Sequence, residues 1–157
     1  MDVAAICEAA MQAAICEART AFGKGEMPYG AVITAPDGRI IARAHDQVCT
    51  LSDPTRHGEF DAVRMAINNH GPDLKGCYLV STVEPCCMCS GAAWYAGIST
   101  AVFGLTMHEL KSHAPQALEE AFGPVAELYS GMERKMTAIP GVLRTECLAL
   151  WTTLASK

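Results

Sequence analysis

The chain has 157 residues, half of them hydrophobic and 18% charged, with a formal net charge of −5. That length fits one domain whose core holds together without disulfides, and the low charge with a slightly positive mean hydropathy excludes a disordered chain. No Lys/Arg cluster offsets the acidic balance, which argues against a nucleic-acid-gripping surface; no stretch reaches the roughly 20 apolar residues of a membrane span, and Met1 to Ala14 carries Asp2 and Glu8 with no basic start, so a cytoplasmic chain is expected.

Residues 2–21 read as a helix, with Val3, Ile6, Cys7, Ala10, Met11, Ala14 and Ile15 on one apolar face and Gly23 and Gly25 behind it. Residues 31–34 are a β-branched strand, Pro36-Asp37-Gly38 is a turn, and residues 39–43 return as a second strand, forming a hairpin. A polar loop runs from His45 to Thr55. Residues 57–69 are helical in pattern and stop at Gly71-Pro72. Residues 78–82 form a strand, 86–96 a short apolar helix and 100–104 another strand. Beyond 105 the periodicity weakens; 115–122, 125–136 and 145–155 are expected helices. Alternating strands and helices predict an α/β fold with a mixed sheet. No internal repeat or linker divides the chain, so residues 1–157 are read as one domain.

Eight cysteines occur. Cys7 and Cys16 fall within the first helix and read as small packed hydrophobes. Cys77 and Cys147 have no partner that spacing identifies. The cluster Cys86-Cys87-Met88-Cys89, after Pro85 and at a helix start, is different. His57-Gly58-Glu59 stands at a second helix start. Alone, a histidine or a C-x-x-C is weak evidence. Together, His57, Cys86 and Cys89 are three zinc ligands that leave a fourth position open. Cys86 and Cys89, three positions apart on a first helical turn, turn both sulfurs to one side. The orphan amides and positive dipole of that turn favour thiolates. Glu59, two residues from His57, is placed to serve as general base and then general acid on a zinc-activated water. This H-x-E…P-C-x-x-C pattern is the signature of zinc deaminases. Cys87, on another side of the helix, is expected in the core.

The chain resembles the cytidine deaminase-like superfamily, and within it bacterial guanine deaminases and tRNA adenosine deaminases. The resemblance rests on residues 28–33, 53–59, 82–92 and 101–104 and covers about residues 5–110. It implies a three-layer α/β/α sandwich with a five-stranded mixed sheet, one zinc per chain and a homodimer. It also implies a base pocket framed by Tyr29, Gly30 and Ala31, by the Asp46 region and by the helix that follows Pro85. Residues 111–157 lie beyond the alignable core and are expected to be a helical segment contributing to the pocket or the dimer.

Two departures from the family pattern matter. Gly58 replaces the usual Ala, at a cost of up to about 1 kcal/mol in a helix, and is expected to loosen the backbone that positions Glu59. Asp46 replaces an Asn; a carboxylate only accepts hydrogen bonds, so the substrate edge facing it would present donors, unless Asp46 is simply a solvated loop residue. Tyr29, Trp94 and Tyr95 read equally as base-stacking or core aromatics. His45, His108 and His113 read as packed or surface residues, and Glu84 as a structural hydrogen-bonding group. The expected reaction is hydrolytic release of ammonia from a purine-type base or nucleoside, guanine or guanosine first. Cytosine-, adenine- and triazine-type amines are alternatives, and a tRNA substrate is disfavoured by the acidic charge.

Overall fold

Residues 2–115 and 124–152 are described by the computed structural model. Asp2 caps the first helix by accepting from the Ala4 amide, and α1 (Val3–Gly23) then presents a face of small residues, Ala10, Ala14, Ala18 and Ala21, all buried. Small side chains let its backbone approach β1 (Gly30–Thr34) closely. A Cβ on Gly30 would lie 2.0 Å from the Ala14 carbonyl oxygen and 2.4 Å from the Ala18 nitrogen. Both are backbone atoms, so relief would require moving the helix. Gly30→Ala is therefore expected to destabilise the protein by about 3 kcal/mol or more, at or above the upper end of overpacking costs, read as a lowered denaturant midpoint.

The turn at Pro36–Gly38 closes an antiparallel hairpin between β1 and β2 (Ile40–His45), with Gly38 at φ +87°. The chain continues through α2 (Val48–Leu51), α3 (Gly58–His70), β3 (Tyr78–Val83), α4 (Cys87–Tyr95) and β4 (Thr100–Leu105). β3, α4 and β4 make a crossover unit with parallel strands. Then come α5 (Met107–His113), α6 (Val125–Gly131), β5 (Thr137–Pro140) and α7 (Arg144–Thr152). The sheet order is β2-β1-β3-β4-β5, antiparallel on the hairpin side and parallel on the other. The expected five-stranded mixed sheet with helices on both faces is what forms.

Alternation along the strands divides the core. Val32, Val80 and Val102 pack with Met11, Ile15, Leu110 and Trp151 from α1, α5 and α7. Ala31, Ile33, Leu79, Ala101 and Phe103 face the other way, against Ala62, Val63, Ala93 and Tyr129 from α3, α4 and α6. Among the described residues no helix is long and apolar enough to cross a membrane.

Three elements differ from the sequence reading. α2 lies inside the expected polar loop. α5 was not expected; Thr106 and Glu109 open it with a reciprocal capping box. The expected helix 125–136 ends at Gly131, and the chain returns as edge strand β5. The expected helix 115–122 falls, apart from Pro115, outside the described residues, as does the end of 145–155.

Candidate metal centre and active site

The site forms where β1 begins, β2 and β3 end, and two helices start. β3 runs out through Glu84 and Pro85 into Cys86, the N-cap of α4, and His57 is the N-cap of α3. The approach to His57 is tightly turned. Asp53 accepts from the Thr55 amide at 2.9 Å and its hydroxyl at 2.7 Å. The Arg56 guanidinium pairs at 3.0 Å with Asp61, a buried first-turn carboxylate of α3 that also meets Arg64.

His57 Nδ1 lies 3.5 Å from Cys86 Sγ and 3.7 Å from Cys89 Sγ, and one donor atom of each residue lies within 4.8 Å of the others. Zinc bonds of about 2.0–2.1 Å to nitrogen and 2.3 Å to sulfur, set tetrahedrally, put nitrogen and sulfur about 3.5 Å apart. One imidazole and two sulfurs therefore fit zinc in both chemistry and spacing, and zinc is the metal these three residues would hold. A hydrogen bond from Cys89, joined by one with His57, pulls the Cys86 thiol down to about 4 against the effect of burial. Cys89, donating to Cys86 and deeply buried, moves well up. The bond to Cys86 raises His57 to about 9, burial opposing.

Glu59, at the second helical position of α3, is buried at 6% exposure, and its Oε2 lies 3.8 Å from Cys89 Sγ. Burial pushes its carboxyl up to about 7; the negative charge of Cys86 adds to this and His57 opposes it. A buried carboxyl with its pKa near neutrality, beside the metal ligands, can accept a proton and return it.

Gly58 acts differently from expectation. A Cβ there would lie 3.0 Å from His45 Cα, 3.2 Å from His45 C and 3.3 Å from the Ala44 oxygen. Its role is close approach: the start of α3 rests directly on the end of β2.

Asp46 is drawn inside, at 5% exposure. Its amide donates to the Tyr29 oxygen at 3.1 Å, and the next amide, of Gln47, donates to the Arg56 oxygen at 3.0 Å. Burial raises Asp46 to about 6, the His57 charge countering and Glu26 adding. Asp46 is thus a buried residue at the site and not a solvated one. Gly30 and Ala31 are both buried in β1: the missing Cβ of Gly30 faces α1, and Ala31 joins the core on the α3 side. Tyr29 packs edge-on against Trp151 of α7, centroids 5.0 Å apart. Pro85 is buried, its carbonyl accepting from Ser90 at 3.4 Å. Tyr95 is 85% exposed at the opposite end of α4 from the cysteines, its ring against Trp94.

Glu84 has the structural role expected of it, accepting from the amides of Met107 and Val125, each at 2.7 Å, and so joining the starts of α5 and α6 to the loop that carries Cys86. His45 pairs with Glu17 at 2.7 Å, His113 donates to the Glu109 carbonyl, and His108 is exposed. All eight cysteines are free, and Cys87 is half-buried outside the cluster. Two contributors escaped the sequence reading. Tyr129 of α6 hydrogen-bonds Ser90 at 3.2 Å behind the metal helix, and Glu26, buried at 3% exposure, accepts from two amides of α2. Neither belongs to a recognisable spacing; only the tertiary fold brings them in.

Residues 5–105 match the family described as the cytidine and deoxycytidylate deaminase zinc-binding region. The tRNA-specific adenosine deaminase of Aquifex aeolicus (strain VF5) is 43% identical over 94 residues, 59% of this chain and 62% of that protein, so the match spans less than two thirds of the relative's length. A chain solved in work on A-to-I editing by tRNA:A34 deaminases has a TM-score of 0.75 at 30% identity, covering 90% of this chain and 98% of that one. The guanine deaminase of Bacillus subtilis has a TM-score of 0.66 at 28% identity, covering 100% and 96%.

Proposed function

The chain belongs to the cytidine and deoxycytidylate deaminase family, whose zinc-binding region spans residues 5–105, and from that premise we propose that it hydrolyses the exocyclic amine of a free purine-type base or nucleoside, with guanine or guanosine first. The observation that carries the reaction is the meeting of His57, Cys86 and Cys89 within 4.8 Å with the Glu59 carboxyl beside them. When bound, zinc supplies an acidified water near neutrality. Glu59 takes one proton from the attacking water and delivers it to the ring nitrogen, then takes the second from the hydroxyl so added and delivers it to the departing amine. The ring carbon exchanges its exocyclic C–N bond for C=O: water supplies the oxygen and both protons, and the amine leaves as ammonia. Burial of Glu59 keeps bulk water from competing for that proton.

Asp46 supports the substrate class. Its buried carboxylate accepts only, and guanine presents ring N–H donors where adenine presents a ring acceptor. The acidic chain and the full-length match to a guanine deaminase support a small substrate. Asp46→Asn is expected to leave zinc content unchanged and to shift relative kcat/KM between guanine and adenine-type substrates by about 10-fold or more, the scale of a mispaired buried polar group. Ammonia release across a panel of bases and nucleosides measures it, and equal relative rates would remove Asp46 from the pocket. Homodimerisation belongs to the same reading, and exposed Tyr95 offers an apolar surface to a second copy.

The 43% identity to a tRNA-specific adenosine deaminase favours a second reading, adenosine in tRNA. Inosine formation in a tRNA, with binding that weakens steeply as salt rises, would replace the first reading; ammonia from guanine without it supports the first.

A further inference from the structure

We propose that Glu26 is the positioning residue of the substrate loop, its buried carboxylate capping α2 from outside and thereby holding Asp46 in the pocket; this rests on the substrate reading above.

Side-chain packing does little to hold α2. It is four residues long and buries none of them, and Leu51 is 46% exposed. A single turn of helix does not persist by itself. Its own N-cap, Gln47, makes no side-chain capping bond. The cap comes from 21 residues upstream of Gln47. Gly25, at φ +83°, turns the chain off the end of α1, and the Glu26 amide bonds back to the Ala21 oxygen at 3.0 Å. The side chain is thereby sent inward, where Oε2 accepts from the Cys49 amide at 2.9 Å and Oε1 from the Thr50 amide at 2.5 Å. Cys49 and Thr50 are the second and third residues of α2, whose amides no helix can satisfy internally. A carboxylate there gains from both the donors and the dipole. Burial alone would raise this carboxyl; the bonds from Thr50 and Cys49 outweigh it and hold it at about 2, so the clamp stays ionised across the working pH range. Asp46 lies immediately before Gln47. Between the Glu26 clamp on one side and the Tyr29 and Arg56 carbonyls on the other, the backbone that carries Asp46 is held from both sides.

The test uses the full zinc-loaded chain. Glu26→Gln keeps shape but turns an NH2 toward an amide N–H, so one bond is lost and two donors oppose. With wild-type zinc content as the control for folding, KM for guanine should rise about 10-fold or more, the loss of a charge-assisted bond, while kcat changes less than about threefold. Exchange of the Cys49 and Thr50 amides should quicken by a similar factor. In an Asp46→Asn background the KM effect should shrink to under about twofold, because the group being positioned is gone. Glu26→Asp, which keeps the charge and shortens the reach, should fall between wild type and Glu26→Gln if the latter folds poorly. Unchanged amide exchange, or KM effects of Glu26 and Asp46 that simply multiply, would overturn the proposal. A wild-type chain releasing no ammonia from guanine or guanosine would instead sink the substrate reading, and amide exchange still decides whether Glu26 holds the loop.

Discussion

Glu59→Gln should retain one zinc per chain and lose about 10³-fold or more in kcat, the range expected when one group serves as both base and acid. The side chain is buried, so an isosteric amide fits without displacing α3. The amide cannot take a proton from water, and every proton transfer proposed here passes through that oxygen. Metal analysis and ammonia release on the same sample separate the two effects. Full turnover by the glutamine variant would place the proton shuttle on another group. Loss of zinc along with turnover would make Glu59 a ligand and close the fourth corner.

Removing a sulfur should act at an earlier stage. Cys86→Ser substitutes a hydroxyl that does not ionise near neutrality for the thiol held at about 4. Zinc content should fall from one per chain to near zero in dialysed protein, and with it all measurable ammonia release. Unfolding should move to lower temperature, since an ion that binds only the folded chain stabilises it in proportion to its occupancy. A chelator should produce the same state in the wild type, and added zinc should reverse it. Cys87→Ser is the internal control: one residue away, half-buried and outside the clustered donors, it should keep both metal and turnover. If Cys87→Ser also released zinc, the ligand set would be wrong.

The metal donors and Glu59 were legible in the sequence because both short motifs sit at helix starts, where local backbone geometry alone determines which side chains share a side. The hairpin and the β3-α4-β4 unit were legible for a similar reason, since period and punctuation agreed there. The remaining elements depend on distant partners. α2 is a single turn that buries none of its residues and exists under a carboxylate from before β1. β5 is four residues ending in Pro140, with no buried alternation, and takes its conformation from pairing with β4. α5 did leave a local mark, Thr106 with Glu109 three residues on, but without apolar periodicity around it. Gly58 looked like a weakness when judged by helix propensity alone; its value lies in a neighbour 13 residues earlier in the chain.

That neighbour gives the glycine a mechanical meaning. With no side chain between the tip of β2 and the first turn of α3, a shift of His45 would press directly on the helix that carries Glu59, and the same strand tip leads straight into Asp46. On the proposed reading, recognition of the ring and delivery of the proton would be geared together: a base seated poorly against Asp46 would also disturb the alignment of Glu59, and discrimination among amines would appear in turnover as much as in affinity.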